Sequence, residues 1–311
     1  MASTLFSAHF VLKLLFVFSL FHTSFGTRKL TALFQPLATQ LKYHNGPLLS
    51  GDITVNLIWY GIFDPSQCSI ISDFILSLSS SSPSQPQGQP SVATWFANTN
   101  EYYPFVQGRN PTSVSVSLGN QTHDEGYSLG KSLTQNNITQ LASTAYQTDA
   151  IVIVLTSADV LVEKFCMICG THGSSDNKLV YIWVGNSETQ CPGHCAWPFH
   201  QPIYGPQSPP LTAPNADVGM DGMVINVASL LVGAITNPYG NGIYQGLAVA
   251  PLEACAACTG IYAKGAYAGF PGKLLVDPTT GASYNAVGVN RREYCLPACF
   301  DPLTSSCSTL V

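Results

Sequence analysis

Four cysteine pairs stand at spacings that metal sites use: Cys166-x-x-Cys169, Cys191-x-x-x-Cys195, Cys255-x-x-Cys258 and Cys295-x-x-x-Cys299. His172 and His194 lie beside the first two pairs, so thiolates and imidazoles suited to tetrahedral zinc are close in the chain. His172, His194, Asp217 and Asp221 also form a set of acid–base groups of the kind a hydrolase needs. Each has a plainer reading. Histidines in loops commonly hydrogen-bond backbone. Asp217 and Asp221, on either side of Gly219, suit a helix N-terminus, where carboxylates cap free N–H groups and oppose the dipole. No Gly-x-Ser-x-Gly elbow, Walker loop or dinucleotide fingerprint occurs in the strand-turn-helix context it requires, so no cofactor is expected. Trp183, Trp197 and the tyrosines near the C-terminus have faces that stack on sugars or fill a core.

Compartment decides among the cysteine readings. Phe10 to Phe21 is an apolar run of signal-peptide length, and Ser24-Phe-Gly26 supplies small residues for cleavage. Residues 1–26 therefore read as a cleaved secretory signal and 27–311 as one extracellular domain. The later apolar stretch Met220–Ile235 is interrupted by Asp221 and Asn226, so no membrane span is expected after cleavage. An oxidising compartment turns thiols into disulfides rather than zinc ligands or redox dithiols. All ten cysteines are candidates: Cys68, Cys166, Cys169, Cys191, Cys195, Cys255, Cys258, Cys295, Cys299 and Cys307. Their number is even, so no thiol need be left over. Connectivity stays open, with pairing between the first two clusters preferred. Asn120-Gln-Thr122 and Asn137-Ile-Thr139 make Asn120 and Asn137 glycosylation candidates.

A chain of 311 residues with 46% apolar content can bury a full core. Only 9% of residues are charged, against about 25% in ordinary soluble domains, so solubility rests on neutral polar groups. A net charge of -5 gives no basic field, which excludes nucleic acid and disfavours acidic polysaccharide as partners.

The elements that would position these residues follow from periodicity. Gly51–Gly61 alternates as a half-buried strand. Asp64-Pro65 opens a helix whose stripe is Ile71, Phe74, Ile75 and Leu78. Residues 79–89 are Ser-, Pro- and Gln-rich and read as an exposed loop, and Val92–Asn98 begins a second helix. Ser113–Leu118 is a strand with one wet face, 137–146 a helix, and Asp149–Leu155 a strand buried on both faces. Leu179–Val184 is a further strand, and Trp197–Pro214, with six prolines, is irregular. A helix runs from about Asp221 to Thr236 before Asn237-Pro238, and Lys273–Asn285 is a hairpin turning at Asp277–Gly281. The expected fold is α/β (α+β): a single domain with a mixed sheet covered by helices.

Long motifs carry a family resemblance. They include Cys166-x-x-Cys-Gly-Thr-His-Gly, Tyr-Ile-Trp-Val-Gly-Asn-Ser, Gln-Cys-Pro-Gly-x-Cys-Ala-Trp-Pro-Phe, Asp-Val-Gly-x-Asp-Gly-Met and Thr-Asn-Pro238. Tyr43-His-Asn-Gly-Pro-Leu-Leu49, Ala250-Pro-Leu-Glu253 and Leu275–Asn285 extend them. The chain resembles the EXORDIUM, or phosphate-induced protein 1, family of secreted plant proteins. The resemblance implies an apoplastic or wall-associated protein that promotes cell expansion in connection with brassinosteroid response and carbon or phosphate status. It implies no established enzymatic activity, and leaves the partner as an unidentified extracellular protein or wall glycan. Cys68, Cys255, Cys295 and Cys299 exceed the family's usual set. The helix Met223–Pro238 is also similar to the active-site helix of zincin metallopeptidases. Aligned on Asn-Pro, the ligand and base positions hold Ser229, Leu230 and Gly233, so a zincin-like fold without its metal is expected.

Overall fold

The computed structural model describes residues 40–79, 88–106, 113–175 and 179–311. The signal segment 1–26, residues 27–39 of the following arm and residues 80–87 of the low-complexity loop lie outside them.

Strands are numbered along the chain as β1 Lys42–Tyr43, β2 Gly51–Tyr60, β3 Val114–Asp124, β4 Ser132–Leu133, β5 Ala150–Thr156, β6 Leu161–Val162, β7 Gly170–Ser174, β8 Val180–Gly185, β9 Ile243–Leu247 and β10 Ala250–Leu252. Helices are α1 Pro65–Leu78, α2 Val92–Ala97, α3 Gln135–Thr144, α4 Pro192–Cys195 and α5 Val218–Thr236. The central sheet has the order β3-β2-β5-β8-β7. Its first four strands are parallel and edge strand β7 runs antiparallel to β8. Parallel neighbours need crossovers: α1–α2 lie between β2 and β3, α3 lies between β3 and β5, and β5 reaches β8 through β6 and β7. The mixed sheet covered by helices is as the sequence indicated.

Period-two alternation divides the sheet between two cores. Ile53, Val55, Leu57 and Trp59 of β2, with Ile151, Ile153 and Leu155 of β5, pack with α1, α2 and α5. Ile58, Tyr60, Val152, Val154 and Trp183 point the other way, onto Ile138, Leu141 and Ala142 of α3. This two-sided burial is why Asp149–Leu155 reads as an unbroken apolar run. Where β2 and β3 slip register, the buried Asn56 fills the gap: Oδ1 accepts from Asn120 N at 2.9 Å and Nδ2 donates to Ala145 O at 3.1 Å.

Helix starts follow local rules. Asp64 accepts from Gln67 N while the Gln67 side chain takes the Asp64 N–H, with Pro65 in the first turn. Thr134 and Asn137 reciprocate in the same way on α3. At 19 residues α5 is longer than its apolar stretch indicated, and it is apolar enough to cross a membrane; yet 78% of its most apolar stretch is buried within the fold. It packs on β7 and β8 on one side and on α1 on another, as the central core helix.

After α5 the chain forms short paired segments held by cross-links. Disulfides join Cys255 to Cys299 and Cys258 to Cys307, closing loops of 44 and 49 residues. Each such closure is worth on the order of 3–4 kcal/mol in a chain-entropy account. The buried Asn285 Nδ2 donates to Tyr262 O and Leu296 O, and its Oδ1 accepts from Leu296 N, which anchors this region internally. Arg292 ties it to α1, with Nε 2.9 Å from Asp73 Oδ2. The 275–285 hairpin forms as expected, with Asp277 Oδ1 accepting from the Thr279 and Thr280 amides.

The parity expectation for the cysteines fails. Cys68 and Cys295 are free thiols, so the even count of ten does not mean five bridges. Cys295 is enclosed by Phe199, Ala213, Ile225 and Tyr262, none of which offers a sulfur.

Candidate functional site

The cysteine-rich centre is a stapled corner. Cys166 pairs with Cys191 and Cys169 with Cys195, which fastens the approach to β7 onto α4. Sulfurs held in disulfides are not thiolates, so they are not available as zinc ligands. Among the described residues no three His, Cys, Asp or Glu side chains are grouped to hold a metal.

Three of the four residues that could have formed a hydrolytic centre have separate partners in the fold, and the fourth, His194, is exposed. Asp217 caps α5, its Oδ1 accepting from Met220 N at 2.8 Å, and its Oδ2 accepts from Gln67 Nε2 at 2.9 Å. Asp221, expected at the same helix terminus, does not cap. It is 2% exposed, and its two oxygens accept from Asn215 N at 2.8 Å and Asn215 Nδ2 at 2.6 Å. Burial raises its pKa to about 7, with Asp217 adding to the rise and Asn215 and Arg292 opposing it. His194 is exposed at the end of α4. His172, on edge strand β7, turns onto α5, where Nε2 lies 2.7 Å from Glu253 Oε2. Glu253 Oε1 accepts from Asn237 Nδ2 at 2.7 Å, and Asn237 Oδ1 accepts from Gly242 N at 2.7 Å. His172 Nδ1 is buried with no hydrogen-bond partner among the described residues.

Glu253 and Asn237 are the residues that sequence inspection passed over. Gly233 makes room for them. A Cβ there would stand 2.5 Å from Glu253 Oε2 and 3.2 Å from His172 Nε2. The helix position compared above with a metal-ligand position is therefore packed against a histidine–carboxylate pair. The paired signal, His172 in Gly-Thr-His-Gly and Glu253 in Ala-Pro-Leu-Glu, lies 81 residues apart and has no fixed spacing to betray it.

The neighbouring face of α5 is open. A cleft of about 470 Å³ runs beside Ile225, Asn226 and Ser229, with Trp197, Tyr204 and Tyr262 among its walls and the Cys169–Cys195 corner at one side. Its aromatic wall is supported. Tyr262 OH donates to Trp197 O at 3.2 Å, and the two rings lie 5.6 Å apart at centroid. Asn226 Nδ2 donates to Cys195 O and Gly222 O, which fixes the amide against the stapled corner. Of the tryptophans noted for sugar stacking, Trp183 is fully buried and donates to Thr156 Oγ1, whereas Trp197 reaches the cleft.

Comparison with known proteins places these features in context. Residues 41–310 match the model of the phosphate-induced protein 1 conserved region. The chain is 62% identical to Protein PHOSPHATE-INDUCED 1 of Nicotiana tabacum, over 98% of this chain and 99% of that protein. It is 58% identical to Protein EXORDIUM of Arabidopsis thaliana, over 97% and 99% of the two chains. Identity to Protein EXORDIUM-like 1 of the same plant is also 58%, over 88% and 90%. No solved structure matches the chain.

Proposed function

From a chain that belongs to the phosphate-induced protein 1 family of plant proteins, together with EXORDIUM, we propose a secreted protein of the cell-wall space that acts by binding rather than by catalysis. Its role is to promote cell expansion in connection with brassinosteroid response and carbon or phosphate status, by capturing an extracellular protein or glycan. One observation carries this reading. Asp217, Asp221 and His172 are spent on a cap and buried hydrogen bonds, and eight of the ten cysteines on disulfides, while the open cleft beside α5, which His194 alone of the acid–base candidates lines, is walled otherwise by aromatic, apolar and neutral polar side chains. The test uses the full secreted chain, purified from plant culture medium. Applied to seedlings it should increase hypocotyl elongation, while showing no turnover of peptide, ester or glycoside substrates. Turnover that co-purifies with the chain would overturn the proposal.

A hydrolase is the competing reading, and the His172–Glu253 pair is the observation in its favour, since an imidazole oriented by a carboxylate is a general-base arrangement. Both side chains are largely buried, at 12% and 10% exposure, which leaves a substrate little access. If His172→Ala and His194→Ala remove a hydrolytic activity and keep the fold, the competing reading stands; activity unchanged by both removes it.

A further inference from the structure

We propose that the cleft beside α5 is a binding site for a neutral oligosaccharide, a stretch of uncharged wall polysaccharide; this rests on the binding reading above and names its ligand. Three properties of the cleft point to that chemistry.

The first is charge. No Asp, Glu, Lys or Arg contributes to the lining, and His194 is its one imidazole. An acidic glycan finds no lysine or arginine there, and the chain as a whole carries -5. A basic peptide likewise finds no carboxylate there, and an acidic one no lysine or arginine. A ligand that is polar yet uncharged leaves no ion unpaired when the cleft is filled.

The second is the pairing of aromatic faces with uncommitted polar atoms. Pyranose rings present C–H faces to aromatic side chains and hydroxyls at their edges. Trp197 is part-exposed in the wall and backed by the buried Tyr262, and Tyr204 stands at the rim with 81% of its surface exposed. On the α5 side, Asn226 and Ser229 are three residues apart and so share a helix face. Asn226 uses both amide hydrogens inward, on Cys195 O and Gly222 O, so its Oδ1 remains an acceptor. Ser229 lies part-exposed in the same wall and brings a hydroxyl, both donor and acceptor. Hydroxyl groups of a sugar satisfy both.

The third is rigidity. Wall residues come from segments that are tied down. The Cys169–Cys195 disulfide holds the α4 side and Cys255–Cys299 holds the opposite side. Within the proline-rich segment, Ile203 N donates to Gly193 O and Leu211 N to Pro198 O. Gly260, at φ +77°, adopts a backbone conformation costly for other residues and lies against the Trp197 ring. A wall fixed in advance loses little conformational freedom when a flexible sugar docks.

Isothermal titration of the full secreted chain with cellohexaose, a xyloglucan heptasaccharide and hexagalacturonate tests the proposal, alongside Tyr204→Ala and Ser229→Glu. Tyr204 is exposed enough that its removal leaves the fold intact, which the circular dichroism spectrum checks. Binding of a neutral oligosaccharide, weakened about tenfold or more by either variant, with no binding of hexagalacturonate, is the expected result. Binding of hexagalacturonate at equal or greater strength, or neutral binding that both variants leave unchanged, overturns it. If none of the sugars binds, seedling elongation separates the two readings. Loss of the response in Ser229→Glu overturns the sugar and retains a binding cleft for a different partner. An undiminished response overturns the cleft as the functional site as well.

Discussion

Asp221 gives the protein an acid-favouring stability that can be worked out from its surroundings. Asp221 is 2% exposed, and among the described residues no cation contacts its carboxyl. Arg292, the closest source of positive charge, spends Nε on Asp73 Oδ2 and Nη1 on Asn215 Oδ1. Burial, reinforced by Asp217, therefore wins over the two hydrogen bonds from Asn215, and the pKa rises from 3.8 to about 7. The unfolded chain releases this proton near pH 4 and the folded chain near pH 7, so the folded state is the better proton binder between them. The contribution is complete below about pH 4 and is lost as the pH rises through about 7. The difference of about 3 pKa units, at about 1.4 kcal/mol each, is worth roughly 4 kcal/mol. Asp221→Asn removes the titration but puts an amide NH2 opposite one Asn215 donor, at a cost of about 1–2 kcal/mol. Urea unfolding should find the variant less stable than the parent near pH 4.5 and more stable near pH 7.5, so that the two pH curves cross. Subtracting the curves cancels the other titrating groups. Parallel curves, or a parent that gains on the variant as pH rises, would refute the reasoning.

Three more outcomes follow from the same contacts. Gly233→Ala gains about 1 kcal/mol of helix propensity, yet its methyl would collide with the buried Glu253–His172 pair, so urea unfolding should show a net loss of about 1–2 kcal/mol; a more stable variant would refute the close packing. Cys68 and Cys295 should react slowly with Ellman's reagent in the native state, because burial raises both thiol pKa values, that of Cys68 to about 11, whereas denaturation should release two thiols per chain; none released would mean a fifth disulfide. Asn120 is exposed on edge strand β3 whereas Asn137 is committed to capping α3, so glycosidase treatment of the plant-secreted chain should remove a single glycan, abolished by Asn120→Gln; a glycan on Asn137 would contradict this.

The sheet and its helices were legible because their signals are local. Asp64-Pro65, the alternation of β2 and the unbroken run of β5 each report their own surroundings. The preferred pairing between the first two cysteine clusters also formed, although nothing in the sequence decided the connectivity. What the sequence concealed depends on contacts between distant segments. Glu253 meets His172 across 81 residues, and Arg292 reaches Asp73 across 219. Free Cys68 and Cys295 escaped a parity argument that counts sulfurs without asking whether two can meet.

The candidate site shows the same limit from the other side. A search for reactive residue types led to His172, His194, Asp217 and Asp221; the partners of three belong to the framework, while His194 stays exposed in the cleft wall with no side-chain hydrogen bond to orient it among the described residues. Catalysis requires a reactive group that keeps a free valence at a surface a substrate can reach, and those three have given theirs to the fold. Recognition of a neutral ligand makes no such demand. It needs flat apolar faces and hydroxyl or amide groups that have not been used up, as Tyr204, Ser229 and the Asn226 carbonyl provide. Such residues carry no distinctive spacing, because a tyrosine, a serine or an asparagine is common on any surface. What gathers them into one cleft is the disulfide framework and the proline-rich loop, so under the proposed binding the cysteines would contribute by shaping a wall.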